Sequence, residues 1–182
     1  QVSKKLAELV AQWQSVGFIH GVMNTDNMLL SGETIDYGPC AFMDQFDPSI
    51  VFSSIDHAGR YAYKNQPAIA QWNLACLGQT LLPLISDDTE RATEMAQTVL
   101  NQFPEYYQDQ YRDLMSRKLG LTTRLNEDAQ LIQEFLDLLE ANQLDFTLAF
   151  RRLADLVCDD EGIRSLFEFP NTCDLWIAKW HA

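Results

Sequence analysis

The sequence predicts a mainly α-helical protein with one small β-hairpin that carries the functional loops. Apolar residues recur at the three- and four-residue spacing of helices through most of the chain. Two brief apolar runs near residue 30 flank a turn that contains glycine, which is typical of a hairpin. With 182 residues, of which 47% are hydrophobic, the chain is long enough to bury a core. We therefore expect one domain over residues 1–182.

The first predicted helix ends at Gly17. Its apolar side chains share one face, with polar residues between them, and comprise Leu6, Leu9, Val10, Trp13 and Val16. Gly17 is a good stop because glycine adopts the left-handed conformation that commonly follows a helix. The chain starts at Gln1, and its first residues already have the pattern of a helix interior. We therefore interpret the chain as a piece of a longer protein.

The hairpin is predicted at residues 28–36, with strands at 28–30 and 34–36 and a loop at 31–33. Folding the chain back in this way brings Asn27, at the start of one strand, beside Asp36, at the end of the other. An amide oxygen and a carboxylate are suitable ligands for Mg²⁺, which takes one or two protein ligands and completes its octahedron with water and phosphate. We therefore expect Asn27 and Asp36 to share one divalent cation.

Asp26 stands next to Asn27, and adjacent residues of an extended loop point in opposite directions. Asp26 is then free to act as a general base that takes the proton from an attacking hydroxyl. Considered by spacing alone, the same residues fit a solvated turn with a capping aspartate equally well.

Residues 39–66 show neither helical nor strand periodicity, and their aromatic side chains are expected to pin a long functional loop to the domain. From Pro67 to Ile85 the pattern becomes a helix that is apolar on most faces, so we expect it to be central. Asn73 is the exception in this helix. A buried polar side chain needs a partner, so we expect Asn73 to brace a loop backbone.

The remaining sequence predicts a series of amphipathic helices, and acidic residues at several starts suit the helix dipole. The expected starts are Asp87–Glu90, Pro104, Asn126–Asp128 and Asp145, followed by a short pair at 161–167 and 173–180. No repeat, low-complexity segment or linker is evident in the sequence.

The charge and the cysteines exclude several classes of function. The chain has 13 Lys and Arg against 26 Asp and Glu, a net charge of −13, which repels nucleic acid and anionic membranes. No apolar run suggests a membrane span, so we expect no membrane partner. The four cysteines form no C-x-x-C motif, which excludes a zinc ribbon and suits a reducing compartment.

Two loops of this chain resemble the signature loops of the protein-kinase-like superfamily. They are H-G-V-M-N-T-D-N at residues 20–27 and T-I-D-Y-G-P at residues 34–39. Their residues are similar to those of one branch of the superfamily, the selenoprotein O family. The segments D-H-A-G-R-Y at 56–61, N-Q-P-A at 65–68 and W-N-L at 72–74 fit the same branch.

The resemblance implies that the chain is a kinase-like large (C-terminal) lobe. Residues 36–67 would be the equivalent of the activation segment. Kinases carry the base Asp two residues after the loop His, where this chain has Val22. Selenoprotein O proteins lack that Asp and act as protein adenylyltransferases, binding ATP in a flipped orientation and moving AMP onto Ser, Thr or Tyr hydroxyls. By this resemblance Asp26 is the proton acceptor, and Asn27 and Asp36 hold Mg²⁺, or Mn²⁺ in its place.

Two alternatives remain open from the sequence: a phosphotransferase of the same fold, and a non-catalytic pseudokinase that binds partners through its helices. The sequence contains neither a glycine-rich phosphate loop nor a V-A-I-K-like lysine, so the N-terminal nucleotide-binding lobe is absent from this chain. We therefore expect the isolated chain to bind Mg-ATP weakly and to be inactive. We expect the protein to be cytoplasmic if bacterial, or mitochondrial if eukaryotic.

Overall fold

The computed structural model describes residues 1–123, 125–158 and 161–181, and they are mainly helical, as predicted. The elements are α1 (Val2–Val16), β1 (Phe18–Ile19), β2 (Ala41–Phe42), α2 (Gln66–Ile85), α3 (Thr89–Asn101), α4 (Phe103–Lys118), α5 (Asp128–Ala141), α6 (Phe146–Asp155) and α7 (Asp174–His181). Short 3₁₀ turns lie at Thr25–Asn27, Tyr63–Asn65, Gly162–Leu166 and Pro170–Cys173. β1 and β2 form a two-stranded sheet. The residues cluster into two compact units: Gln1–Ala41 with Ser49–Tyr111, and Phe42–Pro48 with the chain from Arg112 onward.

The core of the first unit lies between α1, the start of α2 and Phe103. Its fully or nearly buried members include Leu6, Val10, Met23, Ala70 and Leu74. Helix α1 ends at Gly17 as predicted, because Gly17 has a φ of 71° and its N–H reaches the carbonyls of Trp13 and Gln14. This helix therefore delivers the chain directly into the loop that follows β1.

Helix α2 is central over only part of its length. Its buried residues, among them Ile69, Asn73 and Leu74, all lie in the first half, whereas Leu84 near its end is 83% exposed. The prediction of a helix buried on most faces is therefore wrong for the second half. By length and composition alone Tyr63–Ile85 could cross a membrane, contrary to the expectation that no apolar run approaches a span. A single such helix carries little weight, because core helices of soluble proteins pass the same test.

The predicted hairpin forms, but it is reduced to one isolated antiparallel bridge between Met28 and Thr34. Two backbone hydrogen bonds flank it: Leu29 N–H donates to the Glu33 carbonyl at 2.9 Å, and Ile35 N–H donates to the Asn27 carbonyl at 3.1 Å. The ladder stops there because Asp36 has a φ of 59°, outside the β region. The strands predicted at 28–30 and 34–36 are therefore wrong as strands, although the chain reversal between them is correct.

The second unit has an aromatic core in which Phe135 contacts both Phe150 and Trp176, with ring centroids 5.1 and 4.5 Å apart. Helix α6 begins as predicted, since the Asp145 carboxylate accepts the Leu148 N–H at 2.7 Å. The Lys118 ammonium lies 4.1 Å from the ring centroids of both Phe146 and Phe150. Burial there lowers the pKa of Lys118 to about 8, because the apolar surroundings disfavour the charged amine.

Candidate functional site

The candidate site is built on the segment 20–27, here called the His20 loop. His20 is fully buried, and its Nδ1 accepts the Val22 N–H at 3.4 Å. Its Nε2 lies 2.9 Å from Thr34 Oγ1 and 3.2 Å from the Ile35 carbonyl oxygen. Since Nδ1 receives a proton, Nε2 must carry the imidazole hydrogen and donate it. One neutral tautomer of His20 therefore satisfies every contact and ties this loop to the far side of the chain reversal.

The same chain of hydrogen bonds continues to Asn27. Thr34 Oγ1 donates to the Asn27 carbonyl at 2.7 Å, beside the bond from Ile35 N–H. The backbone of Asn27 is thus held next to the residue that precedes Asp36. His20 therefore has a structural role: it orders the connection between the two segments that carry the candidate ligands.

Burial lowers the pKa of His20, an effect that the nearby Asp36 carboxylate and two backbone hydrogen bonds only partly offset. The folded state therefore binds fewer protons than the unfolded state as the pH falls through 6.5, the ordinary pKa of histidine. The contribution of His20 to stability is complete above this pH and is lost below it. Protonation of Nδ1 would also place a second N–H group against the Val22 N–H and break this hydrogen bond.

We accordingly expect the free energy of unfolding to fall as the pH drops below about 6.5, with a limiting slope for this group of about 1.4 kcal/mol per pH unit. Urea unfolding at several pH values between 7.5 and 5 measures this slope. The His20→Asn variant should be less stable at pH 7.5 and should lose this part of the slope. His57→Asn, which changes an exposed histidine, is the control and should keep the slope. Equal slopes in all three proteins would contradict this role of His20.

The side chain of Asn27 is buried and oriented. Its Nδ2 donates to the Val22 carbonyl at 2.9 Å, so the amide cannot flip without setting two oxygens against each other. This leaves Oδ1 as the atom available to a ligand, and no hydrogen bond to it occurs within the described residues. A fixed amide oxygen of this kind suits a hard cation.

Asp36 is exposed and follows Ile35 directly, in the left-handed conformation noted above. Aspartate tolerates this region better than most residues, but the conformation costs energy and persists only where the surroundings hold it. The neighbouring Tyr37 ring supplies such a hold, with its centroid 5.6 Å from that of His20 and 6.3 Å from that of Phe18. The structure thus brings Asp36 to the segment that carries Asn27.

Asp26 lies in the 3₁₀ turn Thr25–Asn27 and is exposed, whereas the adjacent Asn27 is buried. Within the described part of the chain, its carboxylate has no hydrogen-bond or ion-pair partner. The two neighbours therefore face different surroundings. An unpaired carboxylate in water is available to accept a proton.

Three further side chains hold the His20 loop from outside it. Asn73 donates to the Met23 carbonyl at 3.1 Å, which confirms that it braces a loop backbone. Gln66, fully buried at the start of α2, accepts the His20 N–H and donates to the Phe18 carbonyl, both at 3.0 Å. The Tyr61 hydroxyl donates to Asn24 Oδ1 at 2.7 Å. Tyr61 is one of the aromatic residues of the 39–66 loop that were expected to pin it to the domain, although its partner was not predicted. Sequence reasoning missed Gln66, because no local pattern reveals a partner 46 residues away.

Gly21 was also missed. It has a φ of 86°, and a Cβ at this position would lie 2.8 Å from Pro39 Cγ and 3.1 Å from the Pro39 carbonyl oxygen. The His20 loop and the segment after Asp36 therefore approach each other too closely for any side chain at this point. The only signal of it in the sequence is a glycine directly after His20.

The segment between β2 and Tyr63 contains no helix and no named strand within the described residues, as predicted for a long loop. Asp56 organises its second half by accepting the N–H groups of Arg60 and Tyr61 at 2.9 and 2.8 Å. Arg60 is exposed, and its guanidinium lies 4.6 Å from the ring centroid of Trp72. This loop is therefore internally ordered and is joined to the His20 loop through Tyr61.

The donor set at Asn27 and Asp36 fits a magnesium ion better than a transition metal. The described residues contain no group of three or more His, Cys, Asp or Glu side chains that could hold a metal by themselves. One fixed amide oxygen and one exposed carboxylate match a cation that fills its other positions with water and phosphate. A cation held by these two side chains would take its other ligands from water and phosphate.

Comparisons with known proteins give a consistent result. The family described as protein adenylyltransferase SelO matches residues 1–168. Three similar curated proteins are each named protein nucleotidyltransferase YdiU: one from Rhizobium etli, 53% identical over 98% of this chain; one from Rhodopseudomonas palustris (strain ATCC BAA-98 / CGA009), 55% identical over 97%; and one from Cereibacter sphaeroides, 52% identical over 100%. The matched regions cover 36%, 36% and 38% of those proteins. The chain therefore spans little more than a third of the length of these relatives.

Proposed function

The chain belongs to the protein adenylyltransferase SelO family, and from this membership we propose that it forms the kinase-like large lobe of an enzyme that moves AMP from ATP onto Ser, Thr or Tyr hydroxyls of proteins. The observation that carries the proposal is the hydrogen-bond chain from His20 through Thr34 to Asn27. It holds the residues before and after the chain reversal in register, so that an amide oxygen and a carboxylate are presented from adjacent segments.

Each of the three site residues has one role in this proposal. Asn27 Oδ1 and the Asp36 carboxylate would hold Mg²⁺ or Mn²⁺, which when bound neutralises charge on the ATP phosphates. The Asp26 carboxylate takes the proton of the substrate hydroxyl. The hydroxyl oxygen then forms a bond to the α-phosphorus, the bond from that phosphorus to the bridging oxygen breaks, and pyrophosphate leaves.

The absence of a base at Val22 favours AMP transfer over phosphoryl transfer. A valine cannot accept a proton, so an enzyme of this kind must use another carboxylate, and Asp26 is exposed and unpaired within the described residues. Both candidate metal ligands are present, which argues against a purely non-catalytic role. For a bacterial protein, as the relatives are, we propose a cytoplasmic location.

The isolated 182-residue chain is proposed to be inactive. Its net charge of −13 offers few cations to a triphosphate, and the matched relatives are nearly three times as long. In a full-length enzyme that carries this segment, the remaining chain would supply the lobe that holds the phosphates. Robust turnover by the 182 residues alone would contradict this part of the proposal.

The decisive experiment uses ATP labelled with ³²P at either the α or the γ phosphate, incubated with the full-length enzyme and a protein extract. We expect label on protein only from the α position. Label from the γ position would overturn the proposal in favour of a kinase. The absence of label from both positions, with ATP bound normally, would favour a non-catalytic interaction domain.

A further inference from the structure

The turn Thr25–Asn27, which carries Asp26, is held at both of its ends. At the C-terminal end, Asn27 is tied to the far side of the chain reversal by the hydrogen bonds described above. Asn24 stands at the N-terminal end, and its carbonyl accepts the Asn27 N–H at 3.1 Å. Asp26 is exposed between these two points, and its carboxylate has no partner within the described residues. The position of this carboxylate therefore depends on what holds Asn24 and Asn27.

Asn24 does not cap the turn that it begins. An asparagine before a helical turn commonly accepts an N–H group of that turn through its side-chain oxygen. The side chain of Asn24 makes no such bond, and its Oδ1 instead accepts the Tyr61 hydroxyl at 2.7 Å. Within the part of the chain that the structure describes, this is the one hydrogen bond of the Asn24 side chain. The N-terminal end of the turn is therefore fixed by a residue that lies 37 positions later in the chain.

Tyr61 is itself anchored through both its ring and its backbone. The half-buried ring packs against the core between α1 and α2. The backbone N–H donates to the Asp56 carboxylate at 2.8 Å. The preceding residue is fixed as well, since the Arg60 guanidinium lies over the ring of Trp72 in α2. The Tyr61 hydroxyl is therefore a fixed point to which Asn24 is attached.

The hydrogen bond between Tyr61 and Asn24 is exposed, so it contributes little to folding stability, because water can replace either partner. Its effect on geometry is a different matter. A general base must lie within hydrogen-bond reach of the proton that it takes. Displacement of a reacting group by about 1 Å can lower a rate on the order of 10²-fold. A turn released at Asn24 would therefore affect the chemistry of Asp26 far more than the stability of the protein.

We propose that Tyr61 is a positioning residue for AMP transfer: through Asn24 it fixes the turn so that the Asp26 carboxylate meets the substrate hydroxyl. This inference rests on the proposed function, because it requires that Asp26 takes the proton. The long loop between β2 and Tyr63 thereby contributes to catalysis through one hydroxyl group, without a contact to ATP.

The test removes this hydroxyl from the full-length enzyme by Tyr61→Phe, alone and together with Asp26→Asn. Tyr106→Phe is the matched control. The Tyr106 hydroxyl also donates to a side-chain amide oxygen, that of Gln102 at 2.9 Å, and its ring packs against the same core, but it has no bond to the turn. Incorporation of AMP from α-labelled ATP into a fixed amount of protein extract, measured at several ATP concentrations, gives the maximal rate and the KM for ATP. The melting temperature of each variant is measured in parallel.

We expect Tyr61→Phe to lower the maximal rate at least about fivefold and to leave the KM for ATP within about twofold. In the Asp26→Asn enzyme the same change should cost less than about twofold, because the carboxylate that it positions is gone. Tyr106→Phe should keep the maximal rate within about twofold. Both phenylalanine variants should lower the melting temperature by similar small amounts, since each loses one exposed hydrogen bond.

Asn24→Ala breaks the same bond from the other side and keeps the Tyr61 ring in place, so it decides the question even if Tyr61→Phe does not fold. It should lower the rate as much as Tyr61→Phe does, and the double variant should be no slower than either single variant. A normal rate in either variant, a loss that appears only as a higher KM for ATP, or an equal loss with and without the Asp26 carboxylate would overturn this inference alone. Absence of AMP transfer by the unchanged enzyme would instead refute the proposed function, and this inference with it.

Discussion

Replacing Asp36 with asparagine in the full-length enzyme should lower AMP transfer by at least about 10²-fold, because the variant removes the carboxylate that would hold the metal. Asparagine is the better choice here because it tolerates the φ of 59° at this position, whereas alanine does not. The measurement is the incorporation of α-labelled AMP into protein under saturating Mg²⁺.

The comparison with Asp36→Ala separates chemistry from backbone strain. We expect both variants to be inactive and only the alanine variant to have a lowered melting temperature. Asp87→Ala, a change of an exposed aspartate outside the site, should leave the activity unchanged. An Asp36→Asn enzyme with near-normal activity would show that the carboxylate is not a metal ligand.

Replacing Asp26 with asparagine should lower kcat by about 10²- to 10⁴-fold, the range typical for loss of a general base. The KM for ATP should change little, because Asp26 is not proposed to contact the metal or the phosphates. Steady-state kinetics with the full-length enzyme measures both constants.

A different outcome would reassign Asp26. A large rise in the KM for ATP or for Mg²⁺, with kcat preserved, would make Asp26 a ligand rather than a base. Glu33→Gln is a suitable control, since it removes another exposed carboxylate of the same chain reversal. This control should leave both kinetic constants within about twofold of the unchanged enzyme, because surface substitutions rarely cost more than 0.5 kcal/mol.

The features that could be predicted from the sequence are those determined by neighbouring residues. Gly17 ends α1 and Asp145 starts α6 because caps depend on a few consecutive positions. The chain reversal between Asn27 and Asp36 was likewise predictable from its glycine-containing turn. Even the brace by Asn73 followed from a local observation, since a polar side chain in an apolar helix needs a partner.

The features that could not be predicted depend on residues far apart in the chain. Gln66 bonds to the backbone on both sides of Ile19, and the sequence around Gln66 shows only the start of a helix. Only one bridge forms where two strands were predicted, because Asp36 has a left-handed φ. The residue type alone does not determine that conformation. The exposure of the second half of α2 was missed because an apolar pattern does not show whether another part of the protein packs against each face of the helix.

The central claim is that Asn27 Oδ1 and the Asp36 carboxylate hold one divalent ion together with a nucleotide. The most direct measurement is paramagnetic broadening by Mn²⁺ in the full-length enzyme, labelled with ¹⁵N and ¹³C and saturated with a non-hydrolysable ATP analogue. The signals of the Asn27 side-chain amide and the Asp36 carboxyl should disappear first, at the lowest Mn²⁺ concentration. Broadening that spares both residues, or that reaches only one of them, would contradict the claim.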